Sequence, residues 1–132
     1  MKEVFEVGLD IIKKIQETQS EKLEQTGHLM AQAFMEGHKF FVSGSGHSHT
    51  MAEEMYARAG GFAFVVPILT SELTMTEHPT KSSNIERLSG YAKILVDLYG
   101  VSCGDVVLIA SNSGRNAIQS NLHLKLKIMV HM

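Results

Sequence analysis

Three short, unbroken apolar runs constrain the fold of this chain more than any other feature of its sequence. They cover residues 40–42, 62–66 and 106–110, and such runs are typical of strands that are buried on both faces of a parallel sheet. Stretches with helical spacing separate them, at 51–59 and 85–99. Strands that alternate with helices join through right-handed crossovers. The sequence therefore predicts an α/β fold with three layers, in which a parallel sheet carries helices on both faces.

The segment before the first run is predicted to be helical. Between residues 4 and 35 the apolar side chains recur with helical rather than alternating spacing. Thr18 and Glu21 have the spacing of a capping box, which leaves two interpretations open, one long helix or two helices with a break near Thr18. Residues 1–36 are therefore treated as an N-terminal helical segment.

Proline, glycine and polar residues predict where the later elements end. Pro67 is expected to end the strand at 62–66, and Gly100 to end the helix at 85–99. Residues 70–83 are rich in Thr, Ser, Glu and His and contain a proline. This composition predicts a long loop on the surface.

Composition and charge narrow the possible partners. The 132 residues suffice for one domain with one core, and 44% hydrophobic with 20% charged residues is ordinary for a globular protein. A formal net charge of −2 provides no basic field for a polyanion, so no nucleic acid partner is predicted. Cys103 is the single cysteine, which favours a reducing, cytoplasmic compartment. No apolar segment is long enough to predict a membrane partner.

Two turns rich in serine and glycine follow the first and third apolar runs, at residues 43–48 and 111–116. Ligands of parallel sheets bind beyond the carboxyl ends of the strands. A turn that leads into a helix offers a phosphate unpaired backbone N–H groups and the positive end of the helix dipole. The hydroxyls of Ser45 and Ser48 add donors in the first turn, although capping of the following helix is an alternative role for Ser48.

The second turn holds more polar side chains than a helix cap requires, because Ser111, Ser113 and Asn116 surround Gly114. Neither turn has the Gly-x-Gly-x-x-Gly pattern of a dinucleotide site or the lysine of a P-loop, so no nucleotide cofactor is predicted. Hydroxyls without an essential cation suit the phosphate of a small sugar. The shared ligand of both turns is therefore predicted to be a sugar phosphate.

The sequence Ser-Asn-Ser-Gly-Arg-Asn at 111–116 resembles the Ser-x-Ser-Gly-x-Thr/Asn phosphate loop of the sugar isomerase (SIS) domain family. The turn at 43–48 resembles the first substrate loop of that family, and the order of elements agrees across residues 1–116. Within the family, the chain looks nearest to uncharacterised bacterial proteins that are similar to sedoheptulose-7-phosphate isomerase. The resemblance implies a sheet with flavodoxin-like strand order.

By the same resemblance, Ser48, Ser111, Ser113 and Asn116 hold the sugar phosphate, and the turn chemistry adds Ser45 to this group. Sedoheptulose-7-phosphate isomerases also place a metal-binding His and Glu on the helix after the first loop. Alignment at Ser48 puts two other residues at those positions, so no metal site is predicted. These residues are Glu54 and Arg58.

Isomerisation of an aldose or ketose phosphate moves a proton between adjacent carbons and needs a base near neutral pH. Glu53, Glu54 and His78 are the predicted catalytic residues. The two glutamates lie about one turn into the helix after the first turn, and His78 lies in the polar loop. A solvated helix face is the alternative for Glu53 and Glu54. Further candidates for the base are His47, His49 and Glu77.

After Asn116 the resemblance predicts a full helix and further parallel strands, but residues 122–132 alternate between apolar and mostly polar side chains. We interpret residues 37–116 as the front half of a SIS domain and 117–132 as an atypical tail that arises from truncation or a frameshift. The strand edge at 106–110 would then lack its neighbours, which favours a homo-oligomer. Two functions stay open, a phosphosugar isomerase, whose activity is expected of the full-length form, and a non-catalytic phosphosugar sensor or regulatory module.

Overall fold

The computed structural model describes residues 2–114, so Asn116 and the predicted tail at 117–132 lie outside the described residues. Helices and strands alternate along most of the described chain. In order, they are α1 (Lys2–Met35), β1 (Phe40–Gly44), α2 (His49–Tyr56), β2 (Val65–Ile68), α3 (Pro79–Ile85), α4 (Tyr91–Tyr99) and β3 (Val106–Ala110). Short 3-10 turns precede α2 and α3, at Gly46–Ser48 and Ser71–Leu73. None of the helices in this part of the chain combines the length and apolar content needed to cross a membrane.

The three strands form one parallel sheet in the order β2-β1-β3. Phe41 of the central strand pairs with Val66 on one side and Val107 on the other. This order is that of the first three strands of a flavodoxin-like sheet. The predicted α/β fold with a parallel sheet is confirmed, and β3 lies at an edge of the sheet within residues 2–114.

Each face of the sheet has its own core, because successive side chains of a strand point to opposite faces. On one face Phe41, Val107 and Ile109 pack with α4 through Leu95. On the other face the buried side chains come from all three strands together with α1 and α2. They are Phe40, Val42, Val65, Val106 and Leu108 of the strands, with Ala33 and Ala52 of the helices. The predicted three layers therefore follow from the alternation along β1 and β3.

The N-terminal segment is one continuous helix of 34 residues, without a break at Thr18. The hydroxyl of Thr18 donates to the carbonyl of Lys14 at 2.7 Å, an interaction that a residue inside a helix makes. Of the α1 side chains, only Ala33 is buried. Large apolar side chains along the rest of the helix are exposed, for example Phe5 at 71% and Ile12 at 62%.

The second strand lies at Val65–Ile68 rather than at 62–66, and Pro67 lies within it instead of ending it. Pro67 pairs with Val42. A proline lacks an N–H for the ladder, and an edge strand tolerates this because one side of it has no partner strand. The aromatic residues before β2 pack with each other and with α1 instead, since Phe64 stacks against Phe34 with ring centroids 4.8 Å apart.

The segment between β2 and β3 differs from its prediction in two respects. The predicted surface loop at 70–83 contains a 3-10 turn with the buried Leu73 and the first part of α3. The predicted helix at 85–99 is divided, because α3 ends at Ile85 and α4 begins at Tyr91. Gly90, which precedes α4, has a φ of 87°, a conformation that glycine adopts without steric cost.

Asp105 fixes the start of β3 against the start of β1. One carboxylate oxygen accepts from the backbone N–H of Lys39 at 2.8 Å, and the other accepts from the N–H and hydroxyl of Ser102. Burial alone would raise the pKa of Asp105, but these hydrogen bonds favour the charged form and bring the pKa below its ordinary value. The ionised carboxylate thus helps to hold the two strands whose ends form the candidate site.

Candidate functional site

The two serine-rich turns meet at the carboxyl edge of the sheet, because the last residues of β1 and β3, Gly44 and Ala110, are paired. The backbone leaves β1 through Ser45 into the 3-10 turn at Gly46–Ser48, which continues directly into α2. A Cβ at Gly44 would lie 2.2 Å from the carbonyl oxygen of Ser48. Glycine at this position therefore allows the turn to fold back over the end of the strand.

A hollow of about 330 Å³ lies between the two turns. Its volume is at the lower end of the range for small-molecule sites. Both turns contribute hydroxyls to it, as the sequence predicted, and α3 contributes further polar side chains. The polar lining includes Ser45, Ser48, Ser111 and Ser113 from the turns and Ser82, Ser83 and Glu86 from the segment after β2. The structure thus brings four of the five predicted phosphosugar-binding residues together, and the fifth, Asn116, lies outside the described residues.

Ser48 and Ser111 have different local roles. Ser48 stands at the N-cap of α2, but its side chain makes no capping hydrogen bond, so the alternative role of this hydroxyl as a helix cap is not observed. The hydroxyl oxygen of Ser111 accepts from the N–H of Gly114 at 2.9 Å. That bond shapes the second turn and leaves the hydroxyl proton of Ser111 for another acceptor.

Glu86 lines the hollow although no motif in the sequence singles it out, because its role depends on a contact that is distant in the chain. The hydroxyl of Ser45 donates to its Oε2 at 2.7 Å, across 41 residues of sequence. This bond uses the proton of Ser45, so Ser45 can offer a ligand only its oxygen as an acceptor. Among the described residues, Glu86 and His47 are the ionisable side chains that line the hollow. A carboxylate in this place accepts from hydroxyl or amino groups and repels a phosphate.

A second hollow of about 310 Å³ adjoins the first, and the two share Gly46, His47 and Met75 as lining residues. Glu53 lines it together with His49, whose Nδ1 lies 2.7 Å from Oε1 of Glu53. The sequence named both residues as candidates for proton transfer, but it did not predict that they would pair. The periodicity of α2 contains a signal for this contact, because residues four apart share one helix face.

The other predicted catalytic residues lie outside both hollows. Glu54 is exposed and pairs with Arg58 one turn later on α2. His78 is exposed at the N-cap of α3, where its Nδ1 accepts from the N–H of Thr80 at 3.2 Å. Within residues 2–114 the structure has no group of three His, Cys, Asp or Glu side chains placed to hold a metal ion.

The chain is thus an α/β protein with a parallel sheet and hydroxyl-rich turns at the carboxyl ends of two adjacent strands, the edge at which such sheets bind their ligands. The profile of the SIS domain matches residues 5–125 of this chain. The chain belongs to the SIS domain family, as the resemblance of its two turns predicted.

Relatives of the chain include proteins designated UPF0309. A UPF0309 protein of Halalkalibacterium halodurans is 47% identical over 108 residues, which are 82% of this chain and 45% of that protein. UPF0309 proteins of Brucella ovis and Brucella canis are 42% identical over 96 residues, 73% of this chain and 40% of each relative. The chain thus spans less than half the length of these relatives.

Proposed function

We propose that the chain binds a phosphosugar in the hollow between its two serine-rich turns. The observation that carries the proposal is the convergence of four turn serines on one hollow beyond the carboxyl ends of β1 and β3. Membership of the SIS domain family supports the same ligand class. The phosphate is assigned to Ser48, Ser111 and Ser113, and Asn116 is assigned to it by the sequence motif alone.

The position of Glu86 indicates which side of the hollow the sugar occupies. A carboxylate next to a phosphate dianion is unfavourable, whereas a carboxylate next to sugar hydroxyls accepts charge-assisted hydrogen bonds. The hydroxyl of Ser45 already holds Oε2 of Glu86, which keeps this acceptor in place. The hydroxyls nearest the phosphate therefore face Glu86 and α3, and the phosphate faces the turn at 111–114.

The double substitution Ser111→Ala with Ser113→Ala is expected to abolish most of the thermal stabilisation that sugar phosphates give the chain. Loss of a hydrogen bond to a charged group costs about 1.5 to 3 kcal/mol, so two losses weaken binding by several orders of magnitude in Kd. Differential scanning fluorimetry with hexose and pentose phosphates measures the effect. Ser89→Ala changes an exposed serine outside both hollows and is the control. Equal stabilisation of the double variant and the wild type would show that the phosphate site is elsewhere.

The proposal extends to catalysis, with a phosphosugar isomerase as the first alternative and a non-catalytic sensor as the second. In the isomerase, Glu53 takes the proton from the carbon next to the carbonyl and returns it to the former carbonyl carbon, while the hydroxyl proton passes from the one oxygen to the other, so the composition of the sugar is unchanged. The half-exposed Glu53 lines a hollow that adjoins the phosphate site, which supports this role. Glu54 and His78 are the other residues proposed from the sequence.

Glu53→Gln is expected to slow exchange of the sugar proton with D₂O by about 10²- to 10⁴-fold, the usual contribution of a general base. Proton NMR of candidate aldose and ketose phosphates follows the exchange. Glu54→Gln and His78→Asn in the same assay test the other two residues. A wild-type chain that binds sugar phosphates without exchanging their protons would support the sensor instead.

A homo-oligomer in the cytoplasm is also part of the proposal. α1 is about 50 Å long, and its exposed Phe5, Ile12 and Leu23 share one face by helical spacing. A helix depends on tertiary packing of its apolar face, and two copies of one stripe are self-complementary about a twofold axis. Light scattering at increasing concentration should give at least the mass of a dimer, and a concentration-independent monomer would contradict this pairing.

The single cysteine, Cys103, is exposed, which supports a reducing compartment.

A further inference from the structure

The pair of His49 and Glu53 on α2 combines a buried group with an accessible one. His49 is 3% exposed, whereas the side chain of Glu53 is 52% exposed. Their contact joins Nδ1 of His49 to Oε1 of Glu53 at 2.7 Å. The other ring nitrogen of His49, Nε2, is buried and has no hydrogen-bond partner among residues 2–114. Buried polar atoms of this kind are few in native proteins.

The burial of Nε2 determines which nitrogen carries the proton. A carboxylate can only accept, so Nδ1 must donate to Glu53. If Nε2 were protonated as well, the imidazolium would bury an N–H without a partner, which costs more than an unpaired lone pair in the same place. The geometry therefore favours the tautomer that carries its proton on Nδ1 and donates it to Oε1 of Glu53. The other carboxyl oxygen, Oε2, takes no part in this bond.

The pair of His49 and Glu53 lies next to the proposed phosphate site, so a bound ligand can reach it. The hollow that Glu53 and His49 line shares Gly46, His47 and Met75 with the serine-lined hollow, so a ligand anchored by its phosphate can extend past Met75. The hydroxyls of Thr50 and Thr74 in this second hollow donate to backbone carbonyls. Glu53 is consequently its accessible charged acceptor among the described residues.

We propose that the second hollow receives the carbon chain of the phosphosugar and that His49 is a positioning residue, which keeps the carboxyl group of Glu53 directed at that chain. The inference rests on the proposed function for the phosphate end of the ligand. It assigns to His49 a role that needs no contact between the imidazole and the ligand.

The tautomer of His49 tests the positioning role without any ligand. Long-range ¹⁵N–¹H NMR spectra of the labelled chain should show Nδ1 of His49 protonated and Nε2 unprotonated at neutral pH. In Glu53→Ala, the proton is expected to move in part to Nε2, while His28→Asn on α1 leaves the His49 signals unchanged. An Nε2–H tautomer or an imidazolium in the wild type would overturn the assignment.

Inorganic phosphate and glucose 6-phosphate are the probes that test whether the sugar occupies the second hollow. Both should shift the backbone amides of Ser111 and Ser113, and only the sugar phosphate should shift the ¹³C carboxyl signal of Glu53. If the sugar phosphate shifts the amide signals of Ser111 and Ser113 but not the carboxyl signal of Glu53, the proposed role of the second hollow is wrong and the phosphate site is still supported. If neither probe shifts the turn, the phosphosugar site itself is wrong. A weaker Glu53 response in His49→Leu that His49→Asn restores, through its amide N–H, would distinguish positioning from packing.

Discussion

Gly44→Ala is expected to destabilise the chain more than any other single methyl addition at a glycine of the candidate site. The new Cβ would lie 2.2 Å from the carbonyl oxygen and 2.5 Å from the carbonyl carbon of Ser48. These are backbone atoms, so no side-chain rotation relieves the clash, and either β1 or the start of α2 must move. Overpacking of a core typically costs about 1 to 3 kcal/mol, and we expect at least the upper value here. Urea denaturation measures the change in the free energy of unfolding.

Gly8→Ala is the matched control, because a Cβ at Gly8 in α1 would meet no atom within 4 Å. Alanine is favoured over glycine inside a helix by about 1 kcal/mol, so this variant should be as stable as the wild type or more stable. The same methyl group thus has opposite effects at the two positions. A Gly44→Ala variant with wild-type stability and ligand binding would contradict the close approach of the turn to the strand.

Glu86→Gln is expected to raise the affinity for inorganic phosphate by about tenfold to a hundredfold. Two unit charges about 4 Å apart repel by ~4 kcal/mol at an effective dielectric constant of about 20, and by roughly half of that at twice the distance. Glutamine keeps the shape of the side chain and an oxygen that accepts from Ser45. Phosphosugars should gain less than phosphate, because their hydroxyls exchange a charged acceptor for a neutral one. Isothermal titration calorimetry with both ligands gives the two ratios.

Glu24→Gln on the exposed part of α1 is the control for the change in net charge. It should leave both affinities at their wild-type values, because charges farther apart than about 8 to 10 Å are largely screened at physiological salt. If Glu86→Gln binds phosphate no more tightly than the wild type, Glu86 lies too far from the bound anion to repel it. Its bond to Ser45 would then serve only to hold α3 against the first turn.

Prediction from the sequence succeeded where one short segment contains the whole signal. The apolar run at 106–110 coincides with β3, because a strand covered on both faces needs only consecutive apolar residues. It failed where the environment of a residue decides its conformation. Pro67 lies inside β2 because β2 is at an edge of the sheet that residues 2–114 form, and edge position is a property of the assembled sheet. The helix predicted over 85–99 is interrupted between Ile85 and Tyr91, where Glu86 bonds to Ser45 of the first turn and Gly90 has a φ of 87°.

The sequence by itself determined the fold class, the family and the two serine-rich turns, since each depends on residues that are adjacent in the chain. Only the tertiary structure decided where the charged side chains of the site lie and that the site consists of two adjoining hollows. The bond between Ser45 and Glu86 spans 41 residues, and the burial of His49 depends on what packs over α2. A hydroxyl is visible in a sequence, but whether its proton is available to a ligand depends on the acceptor that folding brings to it.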